Sequence, residues 1–145
     1  MKPAPASPLA TPFTFPVRVY YEDTDSGGVV YYANYLKFLE RARTEWLRAA
    51  GFEQTELLLN HNVIFVVRSV ALEYLQPARF NDALNVTVRL DKLGSCTIDL
   101  LQTVERDKCL VEARVQIVCV DNQAGFKPVR IPSFIRQQLE SPASA

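Results

Sequence analysis

The chain has 145 residues, 16 lysines and arginines against 16 aspartates and glutamates, and a hydrophobic fraction of 48%. That length holds one domain with a real core and is too short for two comfortable ones. The balanced charge lacks the cationic excess on which non-specific nucleic-acid binding depends, and the longest apolar run, Val63 to Val67, is far short of the ~20 residues that cross a bilayer.

In chain order, "MKPAPASPLATPFT" (residues 1–14) is interrupted by prolines and has no apolar h-region. It reads as a disordered lead-in, not a signal peptide, ahead of a single domain at 15–140. Residues 15–22 alternate loosely and are rich in Val and Tyr, which predicts a first strand. The loop "YYEDTDSGGVVYY" follows. From Tyr31 to Ala50 the period lengthens: Tyr35, Leu39, Ala42, Trp46 and Ala49 recur at spacings of three and four, with Leu36 and Leu47 widening the stripe. Gly51 supplies the stop, so a helix is expected over 31–50. "FEQTELLLNH" predicts a second, short helix.

The period then falls to two. A long strand is expected over 62–74, and alternating segments around 84–90, 96–101 and 111–119 predict three more, separated by turn sites at Lys92–Ser95 and Arg106–Lys108. The tail "IPSFIRQQLE" suggests a terminal helix. Strands joined by tight turns are antiparallel, and a sheet with one apolar face needs a cover. The expected architecture is α+β, with an antiparallel sheet of about five strands wrapped around one long central helix.

Most familiar catalytic equipment is missing from the sequence. It contains no G-x-S-x-G elbow, no dinucleotide fingerprint and no phosphate-binding P-loop. The single histidine, His61, sits between two asparagines and reads as a solvated bystander. Cys96, Cys109 and Cys119 form no C-x-x-C pair. They read as buried reduced thiols, which favours a cytoplasmic protein without metal. The acids of "EDTD" are too few and wrongly spaced for a calcium loop.

The loop itself offers chemistry. Gly27 and Gly28 permit a sharp reversal, after which the free N–H groups at the helix start face back toward the loop. Such amides receive an anion, or an oxygen that becomes anionic in a transition state. Asp25 lies beside them. A carboxylate next to an oxyanion-stabilising helix start is minimum equipment for opening an activated acyl group, as nucleophile or as base for water. The competing reading is a plain Asp-Gly turn with a capping carboxylate.

The run "VRVYYEDTDSGGVVYYANYLKFLERARTEWLRAAGF", with "VVRSVALEYLQPARFNDAL" and "VCVDNQAGFKPVRIP", resembles the hotdog-fold acyl-CoA thioesterases of the 4-hydroxybenzoyl-CoA thioesterase type. Within these it is most like the bacterial enzymes associated with the Tol-Pal envelope system. The likeness covers roughly residues 15–135. It implies a hotdog fold and hydrolysis of a short-chain or aromatic acyl-CoA without a cofactor. It also implies a homodimer or homotetramer with active sites at subunit interfaces. Carried over onto this sequence, the catalytic acid matches Asp25. The amide that polarises the thioester carbonyl matches about Tyr32, behind Gly28. Tyr32 departs from the Tol-Pal-associated pattern, which has histidine there; a backbone N–H survives that exchange, whereas an imidazole does not.

Coenzyme A carries phosphates, so Arg68, Arg79, Lys92, Ser95, Lys127 and Arg130 are candidate contacts, each also readable as solvated surface. Tyr32, Phe65 and Val67 are expected to wall the acyl pocket. A hotdog hydratase is disfavoured, because that activity implies histidine five residues after the aspartate and Val30 stands there. The remaining alternative is a non-catalytic acyl- or CoA-binding scaffold working through envelope, phospholipid-synthesis or acyl-carrier partners.

Overall fold

The computed structural model describes residues 12–140; most of the expected lead-in lies outside this range. Strand β1 (Phe13–Arg18) is followed by a single 3-10 turn (Tyr21–Asp23), the long helix α1 (Asn34–Ala49) and the short helix α2 (Gln54–His61). Strands β2 (Val63–Tyr74), β3 (Ala83–Leu93), β4 (Thr97–Glu105) and β5 (Cys109–Asp121) come next. The chain closes with a two-residue strand β6 (Lys127–Pro128) and helix α3 (Ser133–Glu140). The main sheet is antiparallel throughout, in the order β1-β3-β4-β5-β2, and β6 adds to the end of β5.

Period-two alternation decides which face of the sheet is dry. Leu84, Val86 and Val88 on β3, Ile98, Leu100 and Val104 on β4, and Ala113, Val115 and Ile117 on β5 all point to one face and are buried. Helix α1 lies across that face and buries Tyr35, Phe38, Leu39, Ala42 and Leu47. Fully burying one such large apolar side chain stabilises by roughly 1.5–3 kcal/mol. Leu36, expected on the same stripe, is 41% exposed. It stands one position round from Tyr35, about 100° off the buried face.

The ends of α1 differ from expectation for identifiable reasons. Asn34 N–H bonds to the Tyr31 carbonyl at 2.8 Å, so Tyr31–Ala33 forms a turn and the helix begins three residues late. At the other end Gly51 adopts φ +101°, and Gly51 and Phe52 donate back to the carbonyls of Arg48 and Leu47, each at 2.9 Å. This is the Schellman closure that a glycine just past a helix permits.

One polar bridge crosses the core. Gln102 is 1% exposed; its amide nitrogen donates to the Leu39 carbonyl on α1 (3.2 Å) and the Thr87 carbonyl on β3 (3.3 Å), while its oxygen accepts from Arg43 (3.0 Å). Burial pulls the Arg43 pKa below its ordinary value. The bridge fixes the register of α1 against the sheet, and so the position of the helix start.

The ends of three strands converge at one end of the sheet. The last residue of β1, Arg18, pairs with the first of β3, Ala83, and the last of β2, Tyr74, pairs with Val111. The β1-to-α1 loop and the β2-to-β3 connection therefore meet at the N-terminus of α1.

Candidate active site

After Arg18 the chain folds back through the 3-10 turn, and Asp23 holds it. Its carboxylate accepts the Tyr20 N–H at 2.8 Å, and its carbonyl accepts both the Tyr31 N–H and the Asn34 side-chain amide at 2.9 Å. Asp23 is 6% exposed, so it is an internal strut. Residues 24–30 then form a miniature hairpin. Thr24 bridges Val30, the Asp25 N–H bonds the Val29 carbonyl at 2.9 Å, and the Gly28 N–H closes the turn onto the Asp25 carbonyl at 3.0 Å.

Gly28 takes φ +80°, a left-handed conformation that L side chains adopt only with strain. The Asp25 Oδ1 accepts the Gly27 N–H at 2.8 Å. Asp25 is exposed. That bond uses one of a carboxylate's roughly four lone-pair positions and leaves Oδ2 free to react.

The β2-to-β3 connection fastens the hairpin from the other side. Val30 N–H donates to the Ala78 carbonyl (2.8 Å), Val29 bridges Arg79, and the Ala78 N–H donates to the Tyr35 hydroxyl (3.0 Å). Burial holds the Tyr35 phenol above its ordinary pKa of 10.0. Asp82 anchors the connection by accepting from the Arg79 N–H (2.8 Å) and the Arg106 guanidinium (2.9 Å).

At the helix start, the N–H groups of Tyr32 and Ala33 have no acceptor among the described residues. Their directions are fixed by the carbonyls on the other side of each peptide plane. The Tyr31 carbonyl accepts from Asn34, and the Tyr32 carbonyl accepts from the Tyr74 hydroxyl at 3.1 Å. A trans peptide points its N–H opposite its C=O, so Asn34 aims the Tyr32 amide and Tyr74 aims that of Ala33. Burial raises the Tyr74 pKa from 10.0, which keeps this donor protonated. Tyr31, Tyr32, Tyr74 and Tyr35 form a continuous aromatic cluster with ring separations of 4.9, 6.4 and 5.6 Å. Tyr32 is 61% and Tyr74 45% exposed, an apolar surface beside the free amides.

One chain brings together only part of the expected site. Asp25, Gly28 and Tyr32 share the loop. Val67 and Arg68 lie midway along β2, where a bulge leaves Arg68 without a partner on β5. Lys127 and Ser95 are at the far end: Lys127 pairs with Asp121, the partner of Val63, and Ser95 precedes Cys96, whose carbonyl accepts the N–H of Cys119, the residue opposite Phe65. The 12 residues of β2 separate that end from Tyr74 by roughly 35–40 Å. Arg79 is held beside Val29, Lys92 pairs with Asp99, Arg130 is exposed, and Phe65 is half-buried. His61 is an exposed ring against Phe134 at 4.7 Å, away from the loop. Tyr74 and Asn34 were not singled out from the sequence. A tyrosine closing an alternating strand and an asparagine opening a helix are too ordinary to signal the role.

The model of the thioesterase-like superfamily matches residues 19–139. The chain belongs to that family. Among curated relatives, the acyl-CoA thioesterase YbgC of Haemophilus influenzae is 44% identical over 125 residues, covering 86% of this chain and 91% of the relative. The Helicobacter pylori protein of the same name is 32% identical, with 86% and 97% covered. A probable thioesterase from Bartonella henselae superposes with a TM-score of 0.80 at 35% identity, over 84% of this chain and all of that one. The fold is the hotdog fold, a curled antiparallel sheet around a central helix, as expected from periodicity and from the resemblance.

Proposed function

We propose that this chain hydrolyses acyl-CoA thioesters, with short-chain or aromatic acyl groups as substrates. The observation that carries this reading is the pair of unpartnered, aimed amides at Tyr32 and Ala33 beside the Asp25 carboxylate. The thioester oxygen accepts from these N–H groups at the positive end of the α1 dipole, and the acyl group lies on the tyrosine surface. If Asp25 acts as a base, it takes a proton from water as the water oxygen adds to the carbonyl carbon. The C–S bond then breaks and the departing thiolate takes up the proton. If Asp25 acts as a nucleophile, its oxygen forms the bond to carbon and expels the thiolate, and water opens the resulting anhydride. Neither route needs a histidine or a metal, since a thiolate leaves readily.

The working unit on this reading is a homodimer or homotetramer in the cytoplasm. The two edges of the sheet differ in a way that supports it. Strand β1 is six residues long and carries Pro16 and Arg18, which blunt an edge. Strand β2 is twelve residues long, has neither Pro nor Lys, and exposes Val67 and Val70. Two β2 edges pairing antiparallel about Arg68 and Ser69 bring the Tyr74 end of one chain to the Val63 end of the other. Lys127, Ser95, Arg68 and Val67 would then come from the second chain to meet the coenzyme and acyl parts of a substrate bound at Asp25.

The test is thiol release from acetyl- through palmitoyl-CoA, benzoyl-CoA and 4-hydroxybenzoyl-CoA, with wild type beside Asp25→Asn. The asparagine oxygen can still accept the Gly27 N–H, so the loop survives while the carboxylate is lost. A fall of about 1000-fold or more in kcat is expected. Wild-type inactivity on every ester favours the scaffold reading, and equal activity in both proteins makes Asp25 a turn residue.

A further inference from the structure

Strands β4 and β5 bring two of the three cysteines face to face. Their register pairs Ile98 with Ile117 and Thr97 with Val118, and one step further Cys96 stands opposite Cys119. The Cys119 N–H donates to the Cys96 carbonyl at 2.8 Å, which fixes that opposition. Directly opposed residues point to the same side of a sheet, here the α1 side, where Ile98, Leu100, Val115 and Ile117 are buried. In a hydrogen-bonded antiparallel pair the Cα atoms stand about 5.5 Å apart, inside the roughly 4.4–6.8 Å that a disulfide spans.

The two thiols differ in a way that suits them to successive roles. Both are free. Cys96 sits half-buried in the turn between β3 and β4, with its Sγ 3.4 Å from the hydroxyl of the exposed Ser95. Cys119 is fully buried. Burial raises its thiol to about 11, and the neighbouring Cys96, a group that also becomes anionic, adds to the rise. Cys109 supplies a contrast. It lies at the other end of β5, opposite Glu105, and its thiol donates to the Val111 carbonyl at 3.4 Å. The extended strand between them separates it from Cys119 by roughly 30 Å.

We infer that Cys96 and Cys119 are a modification site at which a hydroperoxide closes an intramolecular disulfide. The Cys96 thiolate attacks one peroxide oxygen, the O–O bond breaks, and Cys96 becomes a sulfenic acid as hydroxide leaves. The Cys119 sulfur then attacks the Cys96 sulfur. The S–S bond forms, the S–O bond breaks, and the hydroxyl leaves as water with the Cys119 proton. Two thiols are thereby oxidised and one peroxide is reduced to water; a dithiol reductant reverses the bond by exchange. Transient bonds of this kind are the ones a reducing compartment permits. The site lies under the coenzyme half of the composite site proposed above. The Cys119 carbonyl accepts the Val129 N–H at 2.9 Å and the Ser95 carbonyl accepts the Ile131 N–H at 2.8 Å, so the segment that follows Lys127 hangs on these two residues. Closing the bond draws Cys96 toward Cys119 and moves Ser95, an expected coenzyme contact. On the proposed function, oxidation therefore raises KM for the coenzyme ester and leaves the chemistry at Asp25 alone; the covalent step does not depend on that reading.

The test treats the folded protein with hydrogen peroxide, alkylates the remaining thiols under denaturing conditions and locates them by peptide mass spectrometry. Wild type should lose Cys96 and Cys119 together, as one linked peptide pair lighter by two hydrogens, while Cys109 is still alkylated. Dithiothreitol should restore both. Cys119→Ser should stop at a Cys96 sulfenic acid, trapped by dimedone, and Cys96→Ser should leave Cys119 reduced at the same peroxide dose. Circular dichroism checks folding; Cys96 is half-buried in a turn, so its variant keeps the comparison if serine at Cys119 disturbs the core. A bond joining two chains, Cys96 carried on to sulfinic acid with Cys119 still free, or equal oxidation of Cys109 would each overturn the inference. Steady-state assays then compare reduced and oxidised wild type. KM for the intact coenzyme ester should rise ~3–10-fold, about one hydrogen bond to the coenzyme, with no rise in treated Cys96→Ser. An unchanged KM would deny the link to coenzyme binding. A wild type that hydrolyses no ester would overturn the proposed function and leave the thiol result standing.

Discussion

The two glycines of the loop should fail in different ways when given a methyl group. A Cβ on Gly27 meets the Asp25 Oδ1 at 3.3 Å, the same oxygen that accepts the Gly27 N–H at 2.8 Å. Gly27 has no positive φ, so Gly27→Ala strains no backbone. The carboxylate must give way by a few tenths of an ångström. Displacing a reacting group by 1 Å can cost about 100-fold, so a loss of about 10-fold in kcat is expected, with less than ~1 kcal/mol of stability. Gly28→Ala is the converse. Its Cβ meets nothing within 4 Å, but φ is +80°. A side chain in that region costs about 1–2 kcal/mol, a drop in Tm of roughly 3–8 °C for a domain this size. Thioester hydrolysis and thermal melts of both variants separate the two effects. A Gly27→Ala protein that melts lower than Gly28→Ala while keeping wild-type kcat would show that the loop does not position Asp25 as described.

Tyr74→Phe keeps the ring contacts to Tyr32 and Tyr35 but removes the hydroxyl that orients the Ala33 amide; kcat should fall ~10-fold with little change in KM, and an unchanged kcat would place the oxyanion elsewhere. Gln102→Leu leaves the Arg43 guanidinium without its acceptor in the core, so chemical denaturation should show a loss of about 1–3 kcal/mol; adding Arg43→Leu should recover part of it, and a fully additive double variant would deny the bridge. Burial pushes the Cys119 thiol from 9.0 to about 11. The folded state therefore holds its proton more tightly than the unfolded chain. That contribution to stability is complete below pH 9 and is lost as pH rises from 9 through about 11. Urea midpoints should decline over that window, less steeply in Cys119→Ala, and alkylation at pH 8 should spare Cys119 in the folded protein.

How much of this could be read in advance depends on what kind of interaction sets each feature. The sheet and the central helix are written as periods of two and 3.6, because burial on one face demands them, and both were legible to within a few residues. The start of α1 was not. It is set by the Tyr31–Asn34 hydrogen bond, which no periodicity encodes. Asp23 and Asp25 look alike as letters two positions apart. The fold separates them by giving Asp23 to the Tyr20 N–H inside the turn and leaving Asp25 exposed with an oxygen to spare. The cations were legible as cations, but which end of the sheet each occupies follows from strand order, which is a long-range property. So Lys127 and Ser95 could be named without its being visible that they lie a full strand length from Asp25.

That separation bears on how the proposed site works. The β1-to-α1 loop, the β2-to-β3 connection and the α1 N-terminus meet at one end of the sheet, and they supply a carboxylate, two aimed amides and an aromatic floor. Among the described residues, the cations at this end are the exposed Arg79 and Lys37, neither in an ion pair, whereas Arg106 is engaged with Asp82 and Asp107. On the proposed reading, a substrate at Asp25 has its reacting end defined by one chain while its anionic end extends toward a second. The exposed β2 strand is the surface that leads away from Tyr74, and the antiparallel pairing with a second β2 proposed above would turn distance along one chain into proximity between two. On this reading the bulge at Arg68 sits near the two-fold axis, so each dimer carries two of these cations close together on the path between its two sites. Arg68→Ala should then raise KM for the intact coenzyme ester while leaving hydrolysis of a truncated pantetheine thioester unchanged. An equal effect on both substrates would place Arg68 against the acyl group and contradict the composite site.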